Sequence, residues 1–167
     1  MLRLLFILGF LLSLNLAKAQ QYSLHIGDTF PNFQYKGMFQ KENKLNGLKG
    51  SYVLVHFWAS WNTESRELQL EFIPVYSKFK EKKFNKGKKF YIVSVSLDKE
   101  EKLYELAIKK DNLPWSSNYC DYLGWQSELI NRCGIQQIPS NFLLNPEGKI
   151  VAINISATEL EQLLRGF

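Results

Sequence analysis

Cysteine is almost missing from this chain: Cys120 and Cys133 are the two thiols in 167 residues, and 12 residues separate them. No Cys-x-x-Cys motif therefore exists, which excludes a local redox dithiol and a zinc knuckle, since both need two sulfurs within about a turn of chain. Histidine is as scarce. His56 has no second His, Cys or carboxylate at a ligand spacing and His25 carries no argument, so no metal site is expected. There is also no glycine-rich phosphate loop and no Ser-His-Asp constellation, and no cofactor is implied. Long apolar runs are absent too: residues 4–12 are too short for the ~20 apolar residues that cross a bilayer.

Those apolar residues instead resemble part of an export signal. Arg3 gives the positive start, and Ala17-Lys18-Ala19 has the small-x-small form of a signal peptidase site. The expectation is a signal peptide over residues 1–19 and one domain over residues 20–167, exported to the periplasm or cell envelope. No membrane span would remain after cleavage; an uncleaved N-terminal anchor is the alternative. Removing Arg3 and Lys18 leaves 19 basic residues against 16 acidic ones, a mild excess. Much of it lies in residues 78–89 (KFKEKKFNKGKK). That run reads either as a surface for an anionic partner or as a solvated helix end and turn. It lacks the aromatic ladder and arginines of phosphate recognition, so no nucleic acid is expected.

The rest is apolar and periodic. Residues 52–58 (YVLVHFW) form an unbroken β-branched and aromatic run, expected as a strand buried on both faces. From Thr63 the period changes: Leu68, Phe72, Val75, Tyr76 and Phe79 recur at three and four residues, which predicts a helix with a kink at Pro74. Residues 89–97 are expected as a second strand and 99–110 as a helix with Leu103, Leu106 and Ala107 inward. A short strand at 118–120 and a helix over 124–132, ended by Gly134, follow. Residues 138–144 and 149–155 form a hairpin around Asn145-Pro146-Glu147-Gly148, and a helix at 158–164 closes the chain. Residues 27–46 read as an N-terminal hairpin. The alternation implies an α/β fold with parallel pairing at the centre and an antiparallel edge.

Three local texts sharpen this. Phe57-Trp58-Ala59-Ser60-Trp61, Ile138-Pro139-Ser140-Asn141-Phe142-Leu143 and Asn145-Pro146-Glu147-Gly148-Lys149-Ile150 occur in that order and at fitting distances. Together they resemble the thioredoxin fold of exported thiol-disulfide oxidoreductases of the TlpA and ResA type, relatives of the AhpC/TSA peroxiredoxins. The resemblance implies a central mixed β-sheet flanked by helices, an N-terminal β-hairpin, and a cis proline at Pro139 facing the active turn. It also implies that Ile138, before that proline, pairs its backbone with substrate peptide.

At the chemistry the chain departs from the family. The resemblance places the Cys-x-x-Cys motif on Asn62-Thr63-Glu64-Ser65, so Asn62 stands for the attacking cysteine and Ser65 for the resolving one. Neither side chain can exchange sulfur through a thiolate. The expectation is a non-catalytic protein whose groove, made by Trp61, Asn62, Ile138 and Pro139, binds an extended polypeptide or an envelope protein, as a monomer. The alternative is a thiol-disulfide oxidoreductase working through Cys120 or Cys133. Those two cysteines could instead close a structural disulfide or remain apart as small buried residues. Asn62 reads as a helix cap or, with the free helix amides, as a ligand contact. Trp58 and Trp61 read as a paired contact surface or as one core and one surface residue, and His56 as a core histidine rather than a metal ligand or base.

Overall fold

The computed structural model describes residues 23–36 and 42–167. The expected signal peptide and the tip of the N-terminal hairpin lie outside the described residues. The two arms of that hairpin are present: β1 (Gln34–Lys36) pairs antiparallel with β2 (Glu42–Lys44).

Every residue of β3 (Tyr52–Trp58) is buried, as an apolar run with no polar face requires. It lies at the centre of a five-stranded sheet. On one side β4 (Phe90–Ser96) runs parallel to it, and β5 (Asn118–Cys120) runs parallel to β4. On the other side β6 (Ser140–Leu144) is antiparallel to β3, and β7 (Ile150–Ile153) is antiparallel to β6. The spatial order is β5-β4-β3-β6-β7. Both faces are covered. Leu54, Ile92 and Leu143 point toward α1 (Thr63–Phe79) and α4 (Ala157–Gly166), where Phe72, Val75, Phe79, Leu160 and Leu164 close over them. Val53, Val55, Phe57 and Phe142 point the opposite way, onto Phe30, Phe33 and the Leu129, Ile130 and Cys133 side chains of α3 (Glu128–Cys133).

α1 continues through Pro74 without a break in the helix. α2 (Glu101–Asp111) forms where the pattern places a helix, but its inward face differs. Ala107 and Asp111 are buried, whereas Leu103 and Leu106 are 45% and 54% exposed. Tyr104 is the reason: its ring packs against Trp58 at 6.1 Å, and a helix seated on residues 104, 107 and 111 turns 103 and 106 outward. The single helix expected over 124–132 is also corrected. Residues Gly124–Gln126 make a 3-10 turn and Ser127 is extended, so α3 begins only at Glu128. Gly124 explains the break, with φ +56 and a backbone so close to Lys99 and the Leu97 carbonyl that a Cβ would lie 2.9 Å from the lysine side chain. Gly134 ends α3 in the left-handed region, as a residue just past a helix should.

Candidate functional site

The chain leaves β3 through a tight turn, Ala59 to Asn62, closed by the Asn62 amide donating to the Ala59 carbonyl at 3.1 Å. Asn62 is then the N-cap of α1: its Oδ1 accepts the Ser65 amide at 2.7 Å, one of the first-turn donors that a helix cannot satisfy itself. The Ser65 hydroxyl is fully buried. It donates to the Asn62 carbonyl at 2.9 Å and accepts from the Ala59 amide at 3.3 Å. Both side chains that replace the family's thiols are therefore occupied in fastening the turn to the helix. Among the described residues no base reaches the hydroxyl, because the nearest imidazole, His56, directs its Nε2 at the Ser65 backbone carbonyl, 3.2 Å away.

His56 is buried, edge-on to Phe72. Burial lowers its pKa to about 4 against weaker opposition from the backbones of Ser65 and Ser140, so the ring is neutral at physiological pH and serves as packing. Trp58 is in the core and Trp61 is 57% exposed beside the turn, so the two indoles do not form one contact surface.

Across the sheet, Ser140 pairs with Phe57, which brings the half-buried Ile138 and Pro139 alongside the end of β3 and next to the turn. The Ile138-Pro139 peptide bond is cis. Among the described residues, the amide and carbonyl of Ile138 engage no backbone or side-chain partner. Trp61, Asn62, Ile138 and Pro139 thus share one end of the sheet.

Cys120 and Cys133 are free and not bonded to each other. Cys133 belongs to the core under α3, and burial pushes its thiol up to about 12, far from a reactive thiolate. Cys120, half-buried at the sheet edge, is also raised by burial. It is nearer the turn than the strand order suggests. Its Sγ lies 3.4 Å from the Asp98 carbonyl, and the buried Asp98 carboxylate accepts the Ser60 amide at 3.0 Å and the Ser60 and Ser96 hydroxyls at 2.6 Å each. Asp98 therefore locks the turn from behind. Sequence reasoning missed this residue; the only signal was a Ser-x-Asp text at the end of a parallel strand, where such sheets gather their functional groups.

The basic run at 78–89 is largely a solvated helix end. Lys78 pairs with Glu161 at 2.6 Å, Lys89 with Glu81 at 2.9 Å, and Lys82 donates to the Leu164 carbonyl. Among the described residues no group of three His, Cys, Asp or Glu is arranged to hold a metal, and no helix is long and apolar enough to cross a membrane.

A thioredoxin-like family model matches residues 50–150. The chain is 26% identical over 145 residues to a thiol-disulfide oxidoreductase ResA of Bacillus thuringiensis, covering 87% of this chain and 78% of the relative. It is 36% identical over 104 residues to a nucleoredoxin of Danio rerio, a much longer protein of which it spans 23%. Among solved structures, the thioredoxin domain of a thiol-disulfide oxidoreductase from Bacteroides vulgatus superposes with a TM-score of 0.76 at 28% identity, covering 86% of this chain and 98% of that one. A thiol-disulfide oxidoreductase from Bacteroides fragilis gives 0.67 at 32% identity, covering 81% and 99%. The fold, the order of its three local texts and these likenesses agree: the chain belongs to the thioredoxin-like family of thiol-disulfide oxidoreductases, with Asn62 and Ser65 at the positions of the dithiol.

Proposed function

We propose that this protein is a non-catalytic thioredoxin-like protein of the cell envelope that holds an extended polypeptide at the end of the sheet where Trp61, Asn62, Ile138 and Pro139 meet. The observation that carries the reading is the use made of Asn62 and Ser65. The Asn62 Oδ1 and the Ser65 hydroxyl are spent on a helix cap and a turn, and no thiol stands within the motif. The free backbone of Ile138 supports the second half of the reading, since strand-type pairing with a peptide needs one open amide and carbonyl and no sulfur. Exposed Trp61 offers an apolar anchor at the same end. Export rests on the Arg3 to Ala19 segment.

One set of measurements tests it. The protein lacking residues 1–19 is expected to reduce insulin disulfides no faster than the thiol donor alone, while the Asn62→Cys/Ser65→Cys double variant gains the activity. Carboxymethylated insulin B chain, an extended polypeptide without thiols, is expected to bind the wild-type protein and to bind Trp61→Ala several-fold more weakly, the loss of about 1 kcal/mol or more that an anchoring aromatic carries. Reduction by the wild-type protein that disappears in Cys120→Ser or Cys133→Ser would establish the oxidoreductase reading instead.

A further inference from the structure

A cavity of about 890 Å³ wraps the free edge of β5, closed by the N-terminal hairpin on one side and by α2 and the segment after β5 on the other. It shares no residue with the Trp61 and Pro139 end of the sheet. Its wall has two chemistries. Tyr35, Tyr104, Tyr119 and Tyr122 supply aromatic rings, with Tyr104 and Tyr122 edge to face at 6.1 Å and Tyr119 against Phe33 at 5.7 Å. Glu42, Glu101, Glu105, Asp121 and Glu128 supply carboxylates, against Lys44 and Arg132 alone.

The two sets are built into each other. The Tyr122 hydroxyl donates to Glu101 at 3.5 Å and the Tyr119 hydroxyl to Asp121 at 3.4 Å, while Asp121 also caps the Leu123 amide at 3.0 Å. Burial, and after it the neighbouring carboxylates, push both phenols up to about 12, so the hydroxyls stay protonated beside their carboxylates. Rings present a negative face and carboxylates a full negative charge. Both ask for the same ligand, a cation with N–H donors or a positively charged alkyl surface.

We propose that the β5 edge cavity is a binding site for an organic cation, a guanidinium or alkylammonium group, held between tyrosine rings and the Glu101, Glu105 and Asp121 carboxylates. Such a group belongs to an arginine or lysine side chain of a polypeptide or to a small free amine, and the site recognises the chemistry they share. The inference does not depend on the groove reading above, because no wall residue is a groove residue.

Isothermal titration tests it with three probes: Nα-acetyl-arginine methylamide for the peptide source, agmatine for the free amine, and Nα-acetyl-glutamate methylamide as the anionic control. Saturable binding of at least one cation and none of the anion is expected. Tighter binding of the arginine amide assigns the peptide source, and tighter binding of agmatine the free amine. Glu101→Gln/Glu105→Gln, both exposed positions, should weaken binding about tenfold, as two partly solvated charge pairs predict. Tyr122→Ala should weaken it about threefold and Tyr122→Phe should leave it intact, because a phenyl ring keeps the negative face that attracts a cation. Trp61→Ala should change nothing here. Absence of saturable cation binding, equal binding of the anion, or binding indifferent to the Glu101/Glu105 substitution would overturn the proposal.

Discussion

His56 sits in the middle of the most buried strand with its Nε2 on the Ser65 carbonyl. Its depressed pKa couples it to stability. Above pH 6.5 the ring is neutral in both folded and unfolded chains. Between 6.5 and about 4 the unfolded chain takes up a proton that the folded one refuses, so stability falls as pH falls through that window and levels off below it. Between pH 7 and pH 5 the loss should be about 2 kcal/mol. Urea unfolding at the two pH values checks this in the wild type and in His56→Leu, whose pH dependence should be flatter by that amount. Imidazole NMR of the wild type gives an independent reading, with His56 expected to stay neutral at pH 5. At this scale the sequence is uneven evidence. The burial of His56, the cap at Asn62 and the exposure of Trp61 were legible because each follows from a residue's immediate neighbours. Asp98 was not, since its partner Ser60 comes from the turn after β3 and Cys120 from β5, and only the parallel register brings them to it.

The helices show the same division one level up. α1 and α4 present buried residues at the spacing the sequence displays, and α4 adds a capping box, with Ser156 and Glu159 each satisfying the other's backbone amide. α2 does not follow its leucines. It is held by Tyr104 on Trp58 and by a two-pronged bond from Arg66 of α1, whose Nε reaches Asp111 at 2.9 Å and whose Nη2 also pairs with that carboxylate. Periodicity could not show this, because Asp111 looks like a surface residue until its partner on another helix is known. The Asp111 side chain is 4% exposed and Arg66 24%, so the bond is shielded on its acidic side. Asp111→Asn keeps the shape and removes the charge. It should lower stability by about 1–3 kcal/mol, the cost of weakening a half-buried charged hydrogen bond. A shifted urea midpoint at unchanged m-value would report it, and a change under about 0.5 kcal/mol would mean that the bridge behaves as an ordinary surface pair.

For the whole molecule, the sheet has apolar residues on both faces and therefore needs both coverings at once. This is why three short texts sufficed to read the fold: they mark the end of β3, the start of β6 and the β6–β7 turn, the points where the sheet's two halves join. The cavity at β5 was out of reach, because its wall draws on the hairpin, α2 and α3, segments distant in sequence and individually bland. The two-sided architecture also predicts how the protein fails. α4 covers one face with Leu160 and Leu164 fully buried, and the chain beyond it returns to the sheet. Phe167 stacks on Tyr52 at 4.3 Å with the rings 4° from parallel, and its carbonyl accepts the Asn85 amide at 3.2 Å. A chain ending at Ser156 would uncover Leu54, Phe72, Leu143 and Ala152 together, and each large side chain returned to water costs about 1.5–3 kcal/mol. That sum is comparable to the total stability of an ordinary domain of this size, so little would remain to hold the rest. The truncated chain is expected to show no cooperative transition in urea by circular dichroism or by the fluorescence of the buried Trp115. Phe167→Ala, which removes one stacked ring and leaves the helix in place, should keep a single coincident transition by both probes and lose only about 1 kcal/mol. A cooperative transition in the truncated chain would mean that the opposite face and the sheet fold as a unit without α4.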